Sequence, residues 1–157
     1  MEIKNIKGDL LTTDSKVIIH QVNCRGAFKS GLAKAIDEKY PEVTEKYKGY
    51  CEIYKDRPAM MLGMVLPVKT TDGHIIMNMF SQENYGYNGY RYTSYDALDT
   101  CLNKISKYCL EESITEVSLP FKMSSVRGGA CWEVVLEIIK NAFSKSDITV
   151  KIYDNGK

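Results

Sequence analysis

The chain has 157 residues, 21 Lys plus Arg against 20 Asp plus Glu, and a 44% hydrophobic fraction. That length predicts one domain over 1–157, long enough to bury a core without staples. The near-balance of charge leaves no net field to draw in a polyanion, and no run approaches the ~18 apolar residues of a membrane span.

Ile3 to Ile6 predicts a short strand ending at Gly8-Asp9. Val17 to Val22 (VIIHQV) is a mostly apolar run, suited to a strand covered on both faces. It breaks at Asn23, and the turn from Asn23 to Gly31 opens a helix carrying Leu32, Ala33, Ile36 and Tyr40. Pro41 interrupts that helix and suits the first turn of a second, Pro41 to Tyr54. Gly63 to Val68 and His74 to Phe80 read as strands, with Thr71-Asp72-Gly73 as the turn between them. Ser81 to Tyr92 is a loop rich in Gly, Tyr and Asn. Tyr95 to Glu112 is an amphipathic helix with Leu98, Leu102, Ile105 and Cys109 on one face. Glu116 to Leu119 is a strand halted by Pro120; the loop Phe121 to Ala130 then enters a helix bearing Trp132, Val135, Ile139 and Phe143. Ile148 to Tyr153 is the last strand. The order β-β-α-α-β-β-α-β-α-β predicts an α/β fold, a mainly parallel sheet with helices on both faces. Ligands of such sheets sit outside the carboxyl ends of the strands, so both strand-to-helix loops fall on one rim.

The first of those loops is Asn23-Cys24-Arg25-Gly26-Ala27-Phe28-Lys29-Ser30-Gly31. Its glycines let backbone approach a ligand and the helix start attracts anions, although a βα turn also uses glycine for packing alone. No GK[ST] follows and the pattern is not GxGxxG, so neither a P-loop nor a nicotinamide cofactor is indicated. The second loop, Ser124-Ser125-Val126-Arg127-Gly128-Gly129, offers hydroxyls and a guanidinium to a phosphate, or is a surface connection. Asp9 either accepts from an exocyclic amine such as that of adenine or caps the segment from Leu10 onward. His20 is either a hydrogen-bonded core residue or a general acid/base. His74 is expected at a strand start in solvent. Tyr85, Tyr87, Tyr90 and Tyr92 form a pocket wall, a partner surface, or a loop tip packed on itself. The five cysteines show no CxxC or Cys/His zinc spacing, and MEIKNIKGDL has no apolar signal core; a reduced, cytoplasmic setting is expected. Cys109 and Cys131 fall on helical faces as expected core filler.

Taken together, KGDLLTTDSKVIIHQVNC, GAFKSGLAKAIDEKYPEV, LPFKMSSVRGGACWEVV and DITVKIYDN resemble the macrodomain family, the ADP-ribose-binding fold. The first block looks most like the branch of ADP-ribose-1″-phosphate phosphatases and terminal ADP-ribose protein glycohydrolases. The resemblance implies a three-layer α/β/α sandwich around a six-stranded mixed sheet. Asp9, with Leu10 beside it, would meet the adenine amine, and Tyr153 would lie near the adenine. Asn23 would hydrogen-bond the distal ribose. Gly26, Ala27, Phe28, Ser30 and Gly31, with Leu32 after them, would form the first diphosphate loop. Ser124, Ser125, Val126, Arg127, Gly128 and Gly129 would form the second.

Three positions depart from the family pattern. Lys29 stands where the family commonly has glycine. Ser124-Ser125-Val126 replaces a Gly-Cys-Gly-like stretch; either the loop needs a positive φ at Val126, which would cost about 1–2 kcal/mol, or it adopts a different shape. The glycohydrolase branch uses a lysine after the central strand and an acid in the second loop; the matching positions here are Gln82-Glu83 and Gly128. The expectation is therefore a monomer, needing no cofactor or metal, that binds ADP-ribose or a 1″-substituted derivative. It would hydrolyse a phosphate, an acyl group, or the link to an ADP-ribosylated protein or nucleic acid. His20 would serve as acid/base, and Asn23 would orient the ribose. The alternatives are a non-catalytic ADP-ribose reader and a macrodomain with a degenerate pocket.

Overall fold

The computed structural model describes residues 1–28, 31–86 and 88–156. Its strands are β1 (Glu2–Lys7), β2 (Val17–Asn23), β3 (Val65–Lys69), β4 (Ile75–Gln82), β5 (Glu116–Pro120) and β6 (Thr149–Asp154). Its helices are α1 (Gly31–Lys39), α2 (Pro41–Ile53), α3 (Tyr95–Glu111) and α4 (Trp132–Phe143). These follow the predicted order. Two 3-10 turns, Leu10–Thr12 and Pro58–Met61, went unread because segments of 3 and 4 residues are too short to show a period.

One sheet runs in the order β1-β6-β5-β2-β4-β3, parallel throughout except that β3 pairs antiparallel with β4. Strand β2 is apolar along both faces because both are covered. Val17 and Ile19, with Ile75, Met77 and Met79 of β4, face α3 and α4 and meet Leu98, Leu102, Val135 and Ile139. Ile18, Val22, Ile76 and Phe80 face the other way, onto Ile36, Val43 and Tyr47 of α1 and α2. The expected three layers are the ones formed.

The topology creates the crevice. From β2 the chain moves to one side, through α1, α2 and β3 to β4; after α3 it returns to β5 on the other side of β2. Opposed crossovers on adjacent strands leave a gap at their carboxyl ends. Strands β2 and β5 pair only at Val17–Val117 and Ile18–Ser118, so β2 rises past the end of β5 into that gap.

Two expectations need correction. Cys109 is buried as expected, but Cys131 is exposed: it is the N-cap of α4, and its thiol donates to the Glu133 carboxylate at 3.1 Å. The helix begins one residue later than its apolar face suggests, which turns that side chain outward. His74 does precede β4, yet it is half-buried, with Nδ1 2.8 Å from the Ser15 carbonyl. Among the described residues no helix is long and apolar enough to cross a membrane.

Candidate functional site

The first loop is folded around one side chain. Asn23 Oδ1 accepts from the N–H of Arg25 (2.9 Å) and of Ala27 (3.2 Å), while its Nδ2 donates to the Ala27 carbonyl (2.8 Å). The Tyr47 hydroxyl, buried on α2, donates to the Asn23 carbonyl (2.7 Å) and to Oδ1 (2.9 Å). One amide N–H of Asn23 therefore remains without a partner among the described residues. Gly26 (φ +79°) and Gly31 (φ +58°) take the left-handed conformations this tight path requires. The loop is tied to the end of β4 by Cys24 N–H donating to the Glu83 carbonyl (3.1 Å) and by the Arg25–Glu83 ion pair (3.0 Å). Lys29 and Ser30 lie outside the described residues.

Beneath this loop His20 is 3% exposed, edge-on to Phe28 at 5.7 Å between ring centroids. The Asn78 amide donates to the Leu66 carbonyl (2.9 Å), which turns its Oδ1 toward His20 Nε2 at 2.6 Å. The ring is therefore assigned as the Nε2–H tautomer. Burial pushes its pKa down to about 4, the Asn78 bond opposing weakly, so it is neutral at pH 7. Burial likewise pushes the Cys24 thiol, on the same loop, up to about 12.

The second loop is anchored by Gln21, which the sequence reading did not single out. Gln21 Nε2 donates to Gln82 Oε1 (2.6 Å) and Thr93 Oγ1 (2.9 Å). Its Oε1 accepts from the hydroxyls of Ser81 (2.6 Å) and Ser124 (2.7 Å). Positive φ falls on Lys122 (+58°), Ser124 (+71°) and Gly129 (+70°) and not on Val126, so the loop takes a different shape that spares Val126 the left-handed region. Val126 is instead 74% exposed at the loop tip. Gly128 and Gly129 serve packing within the protein. A Cβ on Gly128 would strike Thr93 Oγ1 and the Ser124 carbonyl, and one on Gly129 would strike the Tyr90 carbonyl. The Gly128 carbonyl accepts from the N–H groups of Tyr92 (2.8 Å) and Thr93 (3.0 Å).

Between the second loop and the segment that carries Gly86 and Gly89 lies a cleft of about 420 Å³, lined by these two glycines with Ser125, Val126, Arg127 and Gly129. Ser125 Oγ is buried there without a hydrogen-bond partner among the described residues. Tyr85 and Tyr90 stand exposed beside it, Tyr90 edge-on to Tyr92 at 5.0 Å; Tyr87 lies outside the described residues. At the ends of β1 and β6, Asp9 caps the turn through Leu10 by accepting from Leu11 N–H (2.9 Å), and remains exposed. Tyr153 is half-buried, its hydroxyl donating to Thr13 Oγ1 (3.0 Å). Leu10 and Phe28 are buried, and Leu32 is half-buried against the same apolar cluster. Among the described residues no three of His, Cys, Asp and Glu gather as a metal site.

No protein-family model matches the chain. The ADP-ribose 1″-phosphate phosphatase of Aspergillus oryzae is 39% identical over 61 residues, spanning 38% of this chain and 30% of that protein. The DNA ADP-ribosyl glycohydrolase of Mycobacterium tuberculosis is 30% identical over 152 residues, spanning 93% of this chain and 40% of that protein. The matches thus cover less than half the length of these curated relatives. Among solved structures, the macrodomain of Mycobacterium tuberculosis DarG superposes with a TM-score of 0.80 at 26% identity, covering 96% of both chains. A macrodomain protein from Streptomyces coelicolor gives 0.80 at 25% identity over 99% of this chain and 100% of that one.

Proposed function

Since the chain belongs to the macrodomain family, we propose that its cleft binds ADP-ribose or a 1″-substituted derivative and hydrolyses the substituent. The observation that carries the reading is Ser125 Oγ, a buried hydroxyl in the cleft wall with no partner among the described residues. Leaving such a group unmatched costs about 1–3 kcal/mol, and a phosphate oxygen would satisfy it once the Ser125 side chain turns into the cleft. In this reading the second loop and the first-turn N–H groups at Gly31 and Leu32 hold the diphosphate. Asp9 keeps one carboxylate oxygen on Leu11 N–H and offers the other to the adenine amine, with Leu10 and Tyr153 bordering that end. The remaining amide N–H of Asn23 serves the distal ribose. Binding fixes C1″ and its substituent against a water molecule, so that positioning supplies most of the rate. His20 is a prop under Phe28 rather than a proton carrier, since a neutral ring sealed at 3% exposure meets no water. The ligand's own phosphate takes the proton instead.

A non-catalytic reader of ADP-ribose is the second reading. It is favoured by the Asn23 amide being largely spent on its own loop and by Gln82 being held in the Gln21 cluster. Calorimetry with ADP-ribose tests binding: no heat at millimolar ligand sinks both readings. Product analysis then follows with ADP-ribose-1″-phosphate, acetylated ADP-ribose, and ADP-ribosylated protein and nucleic acid. Turnover of any one that falls in Asn23→Ala supports hydrolysis; binding without turnover of all of them leaves the reader.

A further inference from the structure

Resting on the reading that the cleft holds a diphosphate, we infer that Gln21 is a positioning residue that fixes both walls of the cleft in one register. Gln21 lies three positions beyond Ile18, the last β2 residue paired with β5, where no neighbouring strand remains on that side. Its side chain takes over the missing ladder. A carboxamide has two N–H donors and two acceptor lone pairs, and here all four are engaged. Its orientation is also fixed. Gln82 Nε2 donates to the Asn84 carbonyl (2.8 Å), which leaves Gln82 Oε1 to face the Gln21 amine.

Two of the four partners, Ser81 and Gln82, belong to β4 and provide a rigid reference. The other two belong to the walls. Ser124 begins the loop that carries Ser125 to Gly129, and Thr93 ends the segment that carries Gly86, Gly89 and Tyr90. Those walls are stitched to each other as well, by Thr93 Oγ1 donating to the Ser124 carbonyl (3.1 Å) and by the Gly128 carbonyl. Ser124 at φ +71° adopts a conformation that persists only where its surroundings over-determine it. Gln21, through the Ser124 hydroxyl, and Thr93, through the Ser124 carbonyl, do so together. Replacing it with an apolar residue strands two hydroxyls and two acceptors at once, and the two walls lose their common support.

Amide hydrogen exchange on Gln21→Leu and Gln21→Glu, beside calorimetry with ADP-ribose and with adenosine, tests this. In Gln21→Leu, exchange should rise about tenfold or more in both 90–94 and 121–130, while the interior of β2 and β4 keeps its protection. Affinity for ADP-ribose should fall about tenfold, with adenosine moving less than about twofold because it lacks the diphosphate. Gln21→Glu keeps an acceptor for the two serines, so its changes should go the same way and be smaller; it also carries the exchange test if Gln21→Leu does not fold. Unchanged exchange in either segment overturns the inference, as does an equal loss of affinity for the two ligands. Wild-type protein that fails to bind ADP-ribose overturns the functional reading instead, and the exchange data still decide the role of Gln21.

Discussion

Charging His20 is the perturbation that most directly probes the floor of the first loop. The ring is 3% exposed, and burial moves its pKa from 6.5 down to about 4. The unfolded chain takes up a proton near pH 6.5 and the folded chain only near 4. The stabilisation is therefore complete above about 6.5 and is lost as the pH falls toward 4. At 1.36 kcal/mol per pKa unit, that displacement corresponds to about 3 kcal/mol. Urea unfolding of the wild type and His20→Gln between pH 7.5 and 4 reads it out. The other titratable groups are common to both proteins, so the difference in slope isolates His20. The wild type should lose about 3 kcal/mol more than the variant across that range. Parallel curves would refute the burial argument. So would a hydrolysis profile with an inflection near 6.5 that disappears in His20→Gln, since that needs a ring open to water and able to carry a proton.

Two further predictions concern other parts of the fold. Two residues past the end of helix α3, Ser113 closes it at φ +55°, where Ile114 N–H donates to the Cys109 carbonyl (2.8 Å) and Ser113 N–H to that of Leu110 (3.4 Å). Ser113→Gly removes the left-handed penalty at that position, so it should raise unfolding free energy by about 1 kcal/mol without altering ligand affinity. No gain in urea would contradict the backbone argument. Native protein treated with iodoacetamide at pH 8 should be alkylated at Cys131 alone, because Cys24, Cys101 and Cys109 are buried with thiols pushed up to about 12, 12 and 11, and Cys51 is buried too. Mass mapping that finds a native adduct at any buried thiol would show the core to be more open than this.

Much of the site was legible along the chain, and the misses have definite causes. Asn23 and the glycines at 26 and 31 stand out because a buried strand ends there, and a strand-to-helix turn needs left-handed residues. What Asn23 does with its amide was not legible. Three of its four hydrogen bonds close the loop locally, but Tyr47 reaches it from α2, 24 residues away. What Gly128 and Gly129 do for packing was not legible. They look like ligand glycines, and the space a Cβ would need is filled by Thr93, Ser124 and Tyr90. Residue types alone left two outcomes at Val126, a strained φ or a loop of different shape; φ depends on how the loop is tied down, and the positive values fall on Lys122, Ser124 and Gly129.

The sequence by itself determined the order of elements, the two-sided burial of β2 and the pair of loops at one edge of the sheet. These follow from local periodicity and turn chemistry, which need only neighbouring residues. Tertiary structure alone decided which side chains face the cleft. Gln21 and His20 are adjacent in β2 and alternate in direction, one rising to Ser124 and Thr93, the other sinking under Phe28 to Asn78. Their hydrogen-bond partners lie 58 to 103 residues away, joined by a crossover that places β5 and β4 on opposite sides of β2. Such contacts leave no local signal, because the energy that fixes them comes from buried polar groups satisfying one another across the sheet.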